Sequence, residues 1–188
     1  MNISKILNVT LYFLQKLGPI SKTKMMKLLF FADFLHVKKY NKPITWAAYY
    51  RLPKGPAPSY FLDIINSVIN KIPNVQEDDI ERFCKVIQMK RNLFNIEGYY
   101  LCPIKKPDMD ELSESDKEVI DEIIIEYGHK NAGQLWRFTH KHPAWKINKK
   151  DKIVWYSNIF PEGEKRESLR IWEENLDDLR EISPNISL

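Results

Sequence analysis

Apolar residues recur at helical spacing in several stretches of the chain, and glycine or proline residues separate these stretches. In the first stretch, about Ile3 to Leu17, apolar residues three and four positions apart form one stripe, and Gly18-Pro19 follows directly. This pattern predicts an amphipathic helix that ends at the glycine. Similar patterns predict four further helices, at about Tyr60 to Ile72, Ser113 to Tyr127, Asn131 to His140 and Glu164 to Arg180.

The segment from Lys22 to about Tyr40 differs from these because nearly its whole circumference is apolar. It contains neither glycine nor proline, and Ser21 before it is a good N-cap. Each residue turns the helix by about 100°, so Lys24, Lys27 and Lys38 lie on one narrow stripe, and apolar residues cover most of the remaining circumference. A helix with so little polar surface is predicted to lie buried at the centre of the fold.

Shorter runs rich in β-branched and aromatic residues predict strands. They lie at Ile44 to Arg51, Arg82 to Lys90 and Tyr99 to Ile104. The last two are separated by turn-forming residues that include Asn92, Asn95 and Gly98, so they predict a hairpin. The expected class is α+β, predominantly helical, with a small three-stranded antiparallel sheet around the buried central helix.

Two polar residues of the central helix lie on its apolar side. Asp33 projects between Met26, Leu29 and Val37, and His36 is about one turn further along. A buried carboxylate needs hydrogen-bond donors, so loop amides or a basic side chain are expected to contact Asp33. We interpret Asp33 as a structural anchor; a catalytic pair with His36 is the alternative, although no candidate nucleophile accompanies it.

A proline-rich loop follows the first predicted strand. In the segment from Leu52 to Pro58, three prolines fix φ and remove backbone donors, and Gly55 precedes one of them. The loop is therefore expected to be rigid. It does not fit a phosphate-binding loop, which requires consecutive backbone N–H groups. Ser59 is the candidate cap for the helix that follows.

Composition places the chain among ordinary globular proteins. It has 188 residues, of which 44% are hydrophobic and 29% charged, which suits one well-buried core. The N-terminus lacks the pattern of a signal peptide, and no stretch is long and apolar enough to span a membrane. Cys84 and Cys102 have no CxxC spacing, so a reduced cytoplasm is expected.

Charge is distributed unevenly along the chain although the net charge is only +4. Residues 1–58 contain ten lysines and arginines and one acid, whereas the remainder contains 19 basic and 24 acidic residues. A basic face of this kind attracts acidic partners, either a protein surface or a nucleic acid. The alternative is a solvated face, or one against which the acidic half of the chain folds.

Three histidines near one another in sequence raise the question of a metal site. Around His129, His140 and His142 no cysteine or aspartate stands at the paired spacing typical of zinc sites. No metal and no cofactor are therefore predicted. His140 is interpreted as a hydrogen-bonded residue at a helix end.

Several of these residues carry a resemblance to a known family. The segment from about residue 5 to 145 resembles the Panacea, or SocA-like, antitoxin domain, although many relatives have valine where this chain has Ala57. The positions that match are Lys27, Phe31, Ala32, Asp33 and His36 in the helix, Lys54, Gly55 and Pro56 in the loop, and His140 and Trp145.

This resemblance implies an antitoxin of a prokaryotic or phage-borne system. Such a protein is non-enzymatic and neutralises a toxin encoded by a neighbouring gene, usually by direct binding in the cytoplasm. The resemblance ends near Trp145, so residues 1–150 are predicted to form the family domain. Residues 151–188 are predicted to form a C-terminal extension whose amphipathic helix packs on the same domain.

The toxin-binding candidates lie beside the loop and on the lysine stripe. Trp46, Tyr50 and Arg51 are of the types that dominate interfaces, and Lys24 and Lys27 are candidates for steering the toxin. The alternative for the first three is a place in the core. Two other functions stay open: a nucleic-acid-binding regulator that uses the basic face, and an adaptor that delivers the toxin to a protease or chaperone. No membrane partner is expected.

Overall fold

The computed structural model describes residues 2–92, 98–147, 152–160 and 169–175. The helices are α1 (Ile3–Leu17), α2 (Lys22–Tyr40), α3 (Ser59–Asn70), α4 (Glu77–Cys84), α5 (Glu114–Tyr127), α6 (Ala132–Lys141) and α7 (Pro143–Lys146). The strands are β1 (Ile20–Ser21), β2 (Tyr49–Leu52), β3 (Gly55–Pro58), β4 (Ile87–Arg91) and β5 (Tyr99–Pro103). Two 3₁₀ turns span Met109–Glu111 and Tyr156–Ile159, and residues 169–175 are helical. The predicted class, α+β and mostly helical, is confirmed.

Helix α2 lies at the centre of the core, as predicted. The Ser21 hydroxyl accepts from the Lys24 N–H at its start, and Asn41 ends it in the left-handed conformation with φ 58°. The predicted solvent-facing lysine stripe is wrong for Lys27, which is only 1% exposed. Lys24 is half-buried and Lys38 is exposed. Lys27 is covered because α6 and β3 pack on α2.

The three-stranded antiparallel sheet has the order β1-β5-β4. The β4–β5 hairpin is present as predicted, but the third strand is β1, not the segment Ile44 to Arg51. That segment contributes β2, which pairs with β3 in a separate two-stranded hairpin around a turn at residues 53–54. The prolines of β3 are tolerated there because β3 is an edge strand of a two-stranded sheet, where a residue without an N–H group need not break the pairing.

Helix boundaries agree with the sequence where a local cap defines them, and differ elsewhere. The predicted strand from Arg82 begins instead in α4, which has three acids in its first turn and so favours a helix start. Ser59 is not the cap of α3, because the helix begins at Ser59 itself and Pro58 occupies the cap position without a side-chain bond. Of the predicted helix Glu164 to Arg180, only residues 169–175 are described; the rest of it, like Asn95, lies outside the described residues.

The described residues after position 150 pack on the same core. The Val154 N–H donates to the Tyr49 carbonyl at 2.7 Å, and Ile153 forms a bridge with Tyr50 on the outer side of β2. Tyr156 is 1% exposed, and Leu169 is fully buried. The predicted boundary at residue 150 stays a prediction.

None of the helices in the described ranges combines the length and the apolar character needed to cross a bilayer.

Candidate functional site

The Asp33 carboxylate is the polar centre of the core. It is fully buried and accepts hydrogen bonds at 2.8 Å from the backbone N–H groups of Ile44 and Thr45. The hydroxyl groups of Thr45, Tyr49 and Tyr156 also donate to it, the last two at 2.8 and 3.3 Å. Loop amides are thus among its partners, as the sequence led us to expect.

The protonation of Asp33 is set by two opposing effects. Burial raises the pKa of the carboxyl group, and the hydrogen bonds from Thr45, Tyr49 and Ile44 act against that shift. Burial also raises the pKa of the Tyr49 and Tyr156 hydroxyls, so both remain donors. Asp33 therefore joins the loop after α2, β2 and the 3₁₀ turn Tyr156–Ile159 to the central helix.

His36 belongs to a different network from Asp33. Its Nδ1 lies 2.5 Å from the Lys42 carbonyl oxygen, and its Nε2 lies 3.2 Å from Ser115 Oγ and 3.4 Å from the nearer oxygen of Asp116. Lys5 donates to the same carboxylate at 2.6 Å. His36 therefore connects α2 to α5, and the proposed catalytic pair does not converge on a common space.

Lys27 and the family motif of the loop meet between α2, β3 and α6. The buried Lys27 ammonium donates to the Pro56 carbonyl at 2.7 Å. Gly55 has a φ of +92°, and a Cβ at this position would lie 3.0 Å from Lys27 Nζ and 3.2 Å from the Thr139 hydroxyl. Glycine is required both by the backbone conformation and by the close approach of the lysine. Lys54, in the turn itself, is exposed.

A row of neighbouring side chains, here called the aromatic ladder, consists of Trp136, which is exposed, and of His140, Trp145 and Arg51, which are half-buried. The rings of Trp136 and His140 are 4.1 Å apart, and those of His140 and Trp145 are 4.6 Å apart. The Arg51 guanidinium lies 4.7 Å from the centre of the Trp145 ring. It also donates to the carbonyls of Trp145 and, at 2.6 Å, Ile147, so β2 holds α7 in place.

The ladder lies in a basic environment. Residues 131–147 contain Arg137, Lys141 and Lys146, and they contain neither aspartate nor glutamate. All three side chains are exposed, and Trp136 is 43% exposed. An aromatic row within a segment that carries only positive charge suits an acidic partner that also presents apolar groups.

The remaining candidates lie elsewhere. Trp46 is partly buried against Trp172, with 5.7 Å between ring centres, and Tyr50 is half-buried beside Ile153. Lys24 donates to the Gly128 carbonyl at 2.6 Å. Phe31 is buried and stacks on Tyr127. Toxin contact by these residues stays a prediction.

Trp136 was missed from the sequence. The sequence signal that could have pointed to this surface was the basic segment without acids around Trp136. The exposure of the Trp136 side chain itself depends on how α6 packs.

The three histidines considered for a metal do not form a group. Within the described part of the chain, no three histidine, cysteine, aspartate or glutamate side chains are arranged to hold a metal ion. His140 is held in the ladder by a hydrogen bond, since its Nδ1 lies 2.8 Å from the Trp136 carbonyl oxygen. Burial lowers the pKa of His142 to about 4, so its imidazole is neutral among the phenylalanines of α2.

Comparison with known proteins gives one finding. A family model described as "Antitoxin SocA-like, Panacea domain" matches residues 25–146, a range that contains most of α2, the β2–β3 hairpin and both helices of the aromatic ladder, α6 and α7. Comparisons with curated proteins and with solved structures gave no significant match.

Proposed function

Because the chain belongs to the family of SocA-like antitoxins with a Panacea domain, we propose that it neutralises a protein toxin by binding it directly. The family match is the observation that carries this proposal. The toxin is proposed to be encoded by a neighbouring gene, and neutralisation is proposed to need no catalytic step by this chain.

The geometry around Asp33 and His36 supports a binding role rather than catalysis. The Asp33 carboxylate is fully buried and already accepts hydrogen bonds from two amides and three hydroxyls. A general base must reach a substrate proton within hydrogen-bond distance, which this carboxylate cannot do without losing its donors. His36 is also fully buried, with both ring nitrogens near partners.

We place the centre of the toxin interface on the aromatic ladder. Tryptophan and arginine are the residue types that most often dominate binding energy, and stacking holds them in place before the partner arrives. Arg51 was a candidate from the sequence, and the structure sets it beside Trp145. Exposed Arg137, Lys141 and Lys146 would face an acidic surface of the toxin and increase the rate of association.

The experiment is co-expression with each neighbouring gene product. One of them, expressed alone, should arrest growth, and this chain should restore growth and co-purify with it as a stable complex. If the toxin instead disappears in a protease-dependent manner, the chain is an adaptor. If the chain ignores every neighbour and shifts DNA or RNA with a steep dependence on salt, the nucleic-acid function replaces the antitoxin proposal.

Trp136→Ala tests the ladder directly. We expect it to weaken toxin binding by about 2 kcal/mol or more, because an ordered, exposed tryptophan is lost from the interface centre. Phe138→Ala is the matched control, since Phe138 is on the same helix and 41% exposed but lies on the opposite flank, against Tyr127. Isothermal titration with purified toxin measures both, and equal losses for the two variants would contradict the placement.

A further inference from the structure

An open cleft of about 570 Å³ lies between the N-terminal end of α2, the β2–β3 turn and α3. Three lysines, Lys22, Lys27 and Lys54, are among the residues that line it, and no aspartate or glutamate is. Tyr99 of β5 lines it as well. The cleft is therefore a concentration of positive charge in a concave, partly apolar surface.

Lys27 is the unusual member of this group. Its side chain is 1% exposed, yet its ammonium has one neutral acceptor, the Pro56 carbonyl. No carboxylate among the described residues forms an ion pair with it. Burial of an ammonium without a counter-ion is costly, and a bound anion would remove that cost.

Lys22 repeats the arrangement at the cleft surface. Its ammonium donates to the side-chain oxygen of Asn66 at 3.0 Å, again a neutral acceptor. Lys22 and Thr23 are also the first two residues of α2, and both line the cleft. The backbone N–H groups at a helix start favour negative charge, so the helix adds to the potential of the lysines.

We propose that this cleft binds a phosphorylated small molecule that carries at least two negative charges. The ammonium groups of Lys22 and Lys27, both of which donate to neutral acceptors, match a multiply charged phosphate better than a single carboxylate. The volume lies in the range of small-molecule sites, and Met26, Leu62 and Ile69 provide apolar surface for the rest of the ligand. Binding is through lysine side chains, so it does not need the consecutive backbone donors that the prolines remove. This inference goes beyond the antitoxin function and requires no toxin.

Proton uptake should accompany binding. Burial lowers the pKa of Lys27 to about 7, and the ionisable groups that share its cleft are Lys22 of α2, Lys54 of the β2–β3 turn and Tyr99 of β5. From α6, the Thr139 hydroxyl approaches the same Gly55 position as the Lys27 ammonium, and it does not ionise in this range. A bound anion stabilises the ammonium form, so affinity should be highest below the pKa of the free protein and fall by up to about tenfold per pH unit above it.

Isothermal titration of the full-length chain tests the proposal in buffer free of phosphate. The probes are inorganic tripolyphosphate, adenosine triphosphate, glutarate as a dicarboxylate and adenosine as an uncharged nucleoside. We expect both phosphate probes to bind with Kd below about 1 mM near pH 6.5, and glutarate and adenosine to bind at least about tenfold more weakly. Binding should weaken from about pH 7 to about pH 9, a range in which a terminal phosphate with a second pKa of about 6 is already ionised.

Three variants identify the site. Lys27→Met keeps the length of the side chain without its charge and should weaken binding by about tenfold or more, and Lys22→Gln by about threefold or more. Lys24→Gln is the matched control on the same helix, because Lys24 does not line the cleft. Its affinity should stay within about twofold of the parent chain. If Lys27→Met does not fold, Lys22→Gln and the pH dependence decide the question.

The proposal is overturned by any of four results. These are no binding of either phosphate probe at about 10 mM, equal affinity for glutarate, equal weakening by Lys24→Gln, or affinity that is unchanged between about pH 7 and about pH 9. None of these results depends on whether a toxin binds, so they leave the antitoxin proposal untouched.

Discussion

At the scale of single residues, the fold depends on buried polar groups that are held by hydrogen bonds. The Asp33 carboxylate receives donors from three separate parts of the chain. Because a bare buried carboxylate is costly, the fold and the ionised side chain depend on each other. The same holds for Lys27, whose charge is stabilised by the Pro56 carbonyl alone among the described residues.

Asp33→Asn should lower the free energy of unfolding by about 2–4 kcal/mol, because the amide turns one acceptor into a donor that faces other donors. Tyr156→Phe is the control, which removes one hydroxyl donor and should cost about 1 kcal/mol. Urea denaturation followed by tryptophan fluorescence measures both. An Asp33→Asn protein as stable as the parent chain would show that the carboxylate is not an anchor.

Gly55→Ala should destabilise the chain by about 2–3 kcal/mol, since a Cβ is disfavoured at positive φ and would press against the Lys27 ammonium. Gly18→Ala isolates the first effect, because Gly18 has a φ of +70° and nothing lies within 4 Å of the added Cβ. We expect it to cost about 1 kcal/mol. Thermal unfolding compares the two, and equal costs would mean that contact with Lys27 is unimportant.

At the scale of elements, α1, α2 and α5 are joined at one carboxylate. Asp116 accepts from Lys5 of α1 at 2.6 Å and from the Ser113 N–H at 2.8 Å, and it lies beside His36 of α2. Burial opposes ionisation of Asp116, but the bonds from Lys5 and Ser113 outweigh it and lower its pKa. The Asp116 side chain therefore both completes the capping box of α5 and joins α5 to α1 and α2.

Asp116→Asn should lower the free energy of unfolding by about 2 kcal/mol near pH 7. Because the pKa of Asp116 is lower in the folded chain than in the unfolded chain, its stabilising effect is complete above the unfolded value. It is lost as pH falls from there through the folded value, so the difference between variant and parent should shrink below about pH 4. Glu118→Gln, at an exposed pair with Lys39, is the control and should have a smaller effect than Asp116→Asn, because solvent screens an exposed ion pair. A difference that does not shrink at all as pH falls below about 4 would contradict this assignment.

At the scale of the whole molecule, part of the uneven charge is balanced inside the fold. Lys5 of the basic N-terminal region pairs with Asp116, and Lys39 pairs with Glu118 and Glu122. The acidic α5 thus covers some of the basic face, as the alternative interpretation of the charge distribution held. The basic groups that remain near the ladder come from the acid-free segment 131–147.

Removal of residues 151–188 should prevent cooperative folding of the remainder. The described residues of this region bury Ile153, Val154, Tyr156 and Leu169, and each such side chain contributes about 1.5–3 kcal/mol against a total stability of about 5–15 kcal/mol. Circular dichroism and thermal unfolding of residues 1–150 provide the measurement. Trp172→Ala in the full-length chain is the milder control, expected to fold with reduced stability. A truncated chain that unfolds cooperatively at the parent's Tm would support an independent domain that ends near residue 150.

The sequence alone determined the features that arise from local interactions. Helices α1, α2 and α5 begin and end close to the predicted residues. Each has apolar residues at helical spacing with capping residues beside them, and capping involves only residues that are neighbours in sequence. Because nearly the whole circumference of α2 is apolar, the sequence alone placed this helix at the centre of the fold. Because Asp33 lies on that apolar surface, the sequence also predicted that its carboxylate must have hydrogen-bond partners. The resemblance to the SocA-like family likewise rested on local motifs.

Only the tertiary structure decided the features that depend on contacts between distant residues. Strands β1 and β3 have two and four residues, too few for a periodic signal, and they exist because β5 and β2 lie beside them. Lys27 has the sequence position of a surface lysine, but β3 and α6 cover it, and Gly55 makes room for its ammonium. Trp136 is exposed because Leu135 and Thr139 face the core, which follows from where α6 packs on α2 and not from its own sequence.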